Sequence, residues 1–235
     1  MLKELSKLRG ATVHALDGDL GSVYDFYFDD DHWVVRYLIV DTGKWLPGRR
    51  VVLSVMSLMA TDWDGRRVPV KLAREQIRNS PDLLSHPELS RALESELLSY
   101  YGYPFYWTGD GLWGAASSPL LAAVATTGRM PPQTRRTAAG DTHVHSMHEV
   151  IGYHVHARDG EIGHIDDLLV NPTDWSVEAI LIDTSNWIGG RSVAIAPSSI
   201  GRIDWPGRHL RLNLSRHTLL TTPEYDPEAR MRAHR

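Results

Sequence analysis

The sequence predicts a mainly β protein in which one small domain occurs twice, the copies separated by a helix and a long linker. Three observations predict it. Shifting the chain by 142 positions (Gly152 minus Gly10) lays it over itself without a gap, and roughly a third of some 70 aligned positions are identical, as a tandem duplication requires. Within each copy, short runs rich in Val, Ile, Leu and Tyr alternate with Asp/Gly turn signals, the pattern of a small barrel or sandwich. Between the copies that pattern stops.

Each element is justified by its residues, taken in order. Thr12 to Ala15 is a strand ended by Asp17-Gly18, a hairpin signal repeated at Asp159-Gly160. Leu20 to Phe28 and Ile162 to Val170 are the second strand. In the third, Val34 to Asp41 and Ser176 to Asp183, one face starts polar (Arg36, Glu178) and turns apolar (Leu38, Val40; Ile180, Ile182). The strand is therefore expected to enter from a wet rim and end buried. Val51 to Leu53 and Val193 to Ile195 follow. Asp62 to Gly65 and Asp204 to Gly207 turn the chain into a last strand with Val68, Val70 and Leu72 (Leu210, Leu212 and Leu214) inward. Pro69 stands where the second copy has Arg211. Because proline cannot donate to a ladder, that strand is expected at an edge or at a bulge.

In the connector, Ser85 and Glu88 form a capping box. Leu89, Ala92, Leu93, Leu97 and Tyr100 recur at helical spacing, and Gly102 and Pro104 stop the chain, predicting an amphipathic helix from 86 to about 101. An aromatic run follows from Tyr100 to Trp107. From Gly109 to Gly140 the composition is Gly, Ala, Ser, Thr and Pro without periodicity, which reads as a linker. The expected organisation is a first domain at 1–82, a connecting helix and aromatic segment at 83–107, a flexible linker at 108–142, a second domain at 143–223, and a tail at 224–235. A domain of about 70 residues buries only ~60% of its unfolded surface, so the two copies are expected to dock about a pseudo-two-fold axis.

Composition narrows the function. The 235 residues are 42% hydrophobic and 23% charged, with net charge −4 and no cysteine. This excludes thiol catalysis, disulfides and thiolate metal sites, and the interspersed charges give no basic stripe for nucleic acid. The opening residues lack a signal peptide's apolar core. The longest apolar run, Leu120 to Ala125, is far short of the ~20 residues of a membrane helix, so a cytoplasmic location without an integral membrane segment is expected.

Motifs that suggest chemistry are each weighed against a structural role. Gly109, Gly111 and Gly114 match a dinucleotide fingerprint in spacing only, lacking the strand before, the helix after and the distant acid. His143, His145, His148, His154, His156 and His164 could collect a transition metal by alternation along strands, or be rim histidines. Asp17, Asp19, Asp25, Asp29 to Asp31, Asp41 and Asp166-Asp167 mostly fall at turns, where aspartate bonds its own backbone. The paired tryptophans 33/175, 45/187 and 63/205 fit barrel-end covers, and Arg49 and Arg191 fit clamps on Asp41 and Asp183. No nucleophile elbow, P-loop or triad is visible, so no catalytic residue, metal site or cofactor is assigned. Tyr101, Tyr103, Phe105, Tyr106 and Trp107, which have no counterpart after the second copy, are the candidate partner-binding residues.

Asp17-Gly-Asp-Leu-Gly-Ser-Val-Tyr-Asp25 and Leu38-Ile-Val-Asp-Thr-Gly-Lys-Trp-Leu-Pro-Gly-Arg49, with 159–167 and 180–191 in the second copy, resemble the PRC-barrel family, in particular bacterial two-copy members that share a Tyr-Tyr-Gly-x-Pro junction. The resemblance implies two tandem six-stranded β-barrels used as adaptors. The family's barrels occur in the photosynthetic reaction-centre H subunit, a ribosome-maturation factor and archaeal division proteins, and this chain lacks the partner segments of all three. The expected function is a non-enzymatic scaffold contacting a protein of unknown identity, with self-association possible. The alternatives are a peripheral regulator of a membrane electron-transfer complex, like the H subunit, and a metal- or ligand-binding module using the His143–His156 cluster.

Overall fold

The computed structural model describes residues 1–82, 89–124, 143–184 and 190–227. Its strands are β1 (Lys3–Glu4), β2 (Thr12–Ala15), β3 (Gly18–Asp29), β4 (Val34–Asp41), β5 (Arg50–Ser54), β6 (Arg67–Pro69), β7 (Val144–Ser146), β8 (His154–Ala157), β9 (Gly160–Val170), β10 (Val177–Asp183), β11 (Ser192–Ile195), β12 (Ile200–Asp204) and β13 (His209–Leu212). Short helices α1 (Arg74–Arg78), α2 (Arg91–Tyr101), α3 (Pro119–Val124), α4 (Met147–Val150) and α5 (Arg216–Thr221) complete it. The molecule is mainly β, with two sheets. The Ser85–Glu88 capping box, Trp187, most of the expected linker (125–142) and most of the expected tail (228–235) lie outside the described residues.

The chain divides into two compact units. One holds Lys7–Ser146 with Thr173–Ser176; the other holds Met1–Ser6, Met147–Pro172 and the chain from Val177. In the first unit the strand order is β5-β4-β3-β2-β6, antiparallel except for the parallel β2–β6 pair. Val13, Leu20, Phe26, Leu38, Leu53 and Val68 are wholly buried there, as the period-two pattern requires. In the second unit the order is β11-β10-β9-β8-β13-β12, again with one parallel pair, β13 with β8.

The units do not follow the sequence boundaries at 82 and 143, because the segment preceding each copy's first long strand pairs in the other unit. Lys3 and Glu4 of β1 lie opposite Val170 and Leu169 of β9. Positions 142 further on, His145 and Ser146 of β7, lie opposite Phe28 and Tyr27 of β3. Two hydroxyl–carboxylate bonds accompany the exchange: Ser146 Oγ donates to Asp25 at 2.5 Å, and Ser6 Oγ to Asp167 at 2.5 Å. Asp25 and Asp167 also accept from the backbone N–H of Phe26 (2.8 Å) and Leu168 (2.7 Å), so each is a buried anchor rather than a turn former.

Burial raises the Asp167 pKa to about 6, against the lowering effect of the bonds from Ser6 and Leu168. A native carboxyl that keeps its proton to higher pH than an unfolded one contributes stability fully below about pH 4. That contribution is lost as pH rises through about 6. Asp167→Asn is therefore expected to leave unfolding free energy near wild type at pH 4 and to raise it by about 1–2 kcal/mol at pH 8. Denaturant titrations at the two pH values check this, and a variant less stable than wild type at pH 8 would contradict it.

Pro69 ends an edge strand as expected, and its effect is visible by comparison. In the second unit Arg202 lies opposite Arg211 in a β12–β13 ladder that runs from Arg202 to Asp204 after a register shift at Ile200. The equivalent stretch of the first unit keeps only the bridges Leu58–Val70 and Asp62–Arg67, on either side of the residue without an N–H. The wet rim expected at the start of β4 is corrected: Arg36 is 1% exposed, whereas its counterpart Glu178 is exposed. The expected clamps are also corrected. Arg49 donates to the carbonyls of Arg78 and Ser80, and Arg191 to those of Leu219 and Leu220, closing the C-terminal ends of α1 and α5. At the other end Asp17 and Asp159 accept from the N–H of Arg74 and Arg216, both at 2.8 Å.

Candidate functional site

Arg36 is buried because residues from the connector cover it. Its guanidinium lies 3.8 Å from the Tyr106 ring centroid and 4.7 Å from that of Trp113. It donates to Asp29 Oδ2 through Nη2 (2.9 Å) and Nε (3.2 Å), and through Nη1 to the carbonyl of Leu112 (2.5 Å). Burial alone would raise the Asp29 carboxyl, but the charge and hydrogen bonds of Arg36 outweigh it and hold the group below the usual carboxylate range.

Trp113, 1% exposed, reaches this position through a tight double-back. Gly111 N–H donates to the Gly114 carbonyl at 2.8 Å, and a Cβ on Gly109 would come within 2.6 Å of the Gly114 carbonyl carbon. Trp113 Nε1 then donates to the Asp174 carbonyl at 2.8 Å. The glycines thus serve close backbone approach. The flexible linker expected from 108 is corrected for 108–124, which pack with the first unit; 125–142 lie outside the described residues.

Beside Arg36 lies a second buried centre. Glu94 on α2 is wholly buried. Its Oε2 accepts from the hydroxyls of Tyr37 (2.7 Å) and Tyr106 (2.5 Å), and its Oε1 lies 3.1 Å from His143 Nε2 and 3.5 Å from Arg91 Nη1. His143 Nε2 is also 3.1 Å from the Tyr106 hydroxyl. Burial, followed by the Glu94 charge, pushes both tyrosines well above their ordinary pKa. For His143 burial would lower the pKa, but hydrogen bonding and charge from Glu94 outweigh it and the imidazole sits above its ordinary value.

The sequence assigned α2 a different face and start. Ser90 is the N-cap, accepting from Leu93 N–H, and Leu89 and Ser90 precede the helix rather than lying within it. The buried stripe is Glu94, Leu97 and Leu98, while Ala92 and Tyr100 point outward. A carboxylate on the inner face breaks the apolar pattern, and three partner side chains distant in sequence make its burial tolerable.

Of the candidate partner-binding residues, Tyr106 is corrected: it is 4% exposed and belongs to the Glu94 centre. Tyr101, Tyr103, Phe105 and Trp107 are half-buried. Phe105 and Trp107 stack in parallel, 5.0 Å apart and 3° from coplanar, with Arg91 4.3 Å from the Trp107 ring centroid. Tyr101 and Tyr103 stack at 6.0 Å, and Lys71 lies 5.6 Å from the Tyr103 ring centroid. Of the candidate histidines, His143 and His145 belong to the first unit, and His148, His154, His156 and His164 to the second. His145 lies 3.3 Å from Asp30, and His164 lies 3.6 Å from Asp183. Trp175 is buried against Phe26 (6.0 Å) and Trp63 (5.9 Å).

Fold and centre together define a mainly β domain with a charged interior. Residues 2–77 match the family model of the PRC-barrel domain. A search of curated proteins returned no match. No helix among the described residues is long and apolar enough to cross a membrane.

Proposed function

We propose that the protein is a non-enzymatic scaffold that engages another protein through the aromatic shelf Tyr101, Tyr103, Phe105 and Trp107. The observation that carries this reading is the Phe105–Trp107 stack, half-exposed yet held in place by Arg91 and by the buried neighbour Tyr106. Rigid aromatic rings lose little conformational entropy on binding and dominate contact energies. The Glu94 centre supports a structural rather than a catalytic interior, since both carboxylate oxygens face side chains of the same unit. The same reading takes the second copy as a diverged PRC-type barrel, supported by the recurrence of strand order and parallel closing pair at a shift of 142 residues.

Affinity capture from the native cell, using wild type and the double variant Phe105→Ala/Trp107→Ala, tests the reading. At least one protein is expected to be enriched by the wild type and reduced tenfold or more with the variant, with melting temperatures within about 3 °C of each other. Identical captured sets, or a variant that unfolds, would place the shelf among the core instead.

A further inference from the structure

The outer face of the second sheet carries a row of histidines that the first sheet lacks. His164 on β9 is in register with His154 on β8, and His154 with His209 on β13. At the equivalent positions the first sheet has Ser22, Thr12 and Arg67. His156 lies two residues along β8 from His154, and its counterpart is His14.

Three of these rings are close together. His156 Nε2 and His209 Nδ1 are 3.2 Å apart, with ring centroids at 5.1 Å, and the His154 ring is 5.6 Å from that of His209. Two imidazole nitrogens bound to one cation at about 2.0–2.1 Å in tetrahedral geometry stand about 3.3 Å apart. The His156–His209 pair thus already has the spacing of two ligands. Glu161 Oε1 lies 2.9 Å from His154 Nδ1. A carboxylate there accepts a hydrogen bond from Nδ1–H and leaves Nε2 as the lone-pair nitrogen, which is how metal-ligating histidines are oriented. In the first sheet Arg67 donates to His14 Nε2 at 3.1 Å, placing a fixed cation where a metal would sit.

We propose that His156 and His209 form a chelating pair for a borderline divalent cation, zinc above all, completed by His154 with Glu161 as its orienting carboxylate. Among the described residues no three such side chains are already gathered round one point; the half-exposed His154 closes the set by rotation about its side-chain torsions. Nitrogen ligands without thiolates suit zinc, copper and nickel rather than magnesium or calcium.

The test uses the full chain without a histidine tag, titrated with zinc against a competing chromophoric chelator. One equivalent is expected per chain. His209→Arg, which installs the first copy's residue, and His156→Ala are each expected to weaken binding at least tenfold, and Glu161→Gln about tenfold. His14→Ala and His217→Ala are expected to change it less than twofold. Ring proton resonances of His154, His156 and His209 should shift together on zinc addition. Affinity unchanged in both His209→Arg and His156→Ala, or several weak equivalents spread over unrelated histidines, would show adventitious surface binding and overturn the proposal. All the substituted side chains are at least partly exposed, so the variants should fold, and melting curves check that they do.

Discussion

Gly163→Ala is expected to unfold the second unit. Gly163 has φ +148°, and a Cβ there would lie 1.9 Å from the Asp183 carbonyl oxygen and 2.9 Å from its carbon. Both obstacles are backbone of the neighbouring strand, so no side chain can swing aside. Gly21 in the first unit repeats the arrangement against Asp41 O at 2.0 Å. Losses above ~4 kcal/mol belong to such backbone collisions. Gly152→Ala is the matched control: its φ of +84° strains any side chain, but nothing lies within 4 Å of the added carbon, so the expected cost is ~1–2 kcal/mol. Urea titrations of the two variants beside wild type decide it. A Gly163→Ala protein as stable as Gly152→Ala would mean that β9 and β10 can move apart at low cost.

The second large effect is expected from Glu94→Ala. Removing the carboxylate leaves the hydroxyls of Tyr37 and Tyr106, the His143 imidazole and Arg91 without their shared acceptor. Breaking one partner out of a buried ionic cluster costs ~3–5 kcal/mol. The loss should depend on pH. A histidine whose folded pKa is raised contributes stability that is fully present below its unfolded value near 6.5, and that contribution fades as pH rises through the folded value. The gap between wild type and Glu94→Ala should therefore be wider at pH 6 than at pH 9. A gap that widens with pH would show that His143 is not held charged by Glu94.

Much of the β architecture was legible because it is written twice. Identical residues at a fixed shift marked the Asp-Gly turns, apolar alternation marked the inward positions of the last strand, and Pro69 announced an edge through its missing donor. Three things escaped. The parallel β2–β6 and β8–β13 pairs join strands distant in sequence, and periodicity says nothing about partners. The short helices after the last strands escaped, although Asp17/Asp159 and Arg49/Arg191 are the same in both copies and hold the two helix ends; by sequence both pairs fit turns. The Glu94 centre was hidden because it is not duplicated. Its members come from β4, α2, the aromatic segment and His143, and none of them alone signals a buried polar centre. The one local signal was a glutamate among the apolar residues of the helix, where the stripe read from leucines fell on the wrong face.

The pairing of β1 with β9 and of β7 with β3 limits how the chain can be shortened. Each sheet takes a short strand from the segment that leads into the other set of long strands, so a chain carrying one set alone would lack that strand. Trimming the gene to a single copy would strand a row of backbone amides along β3 or β9 with no lender.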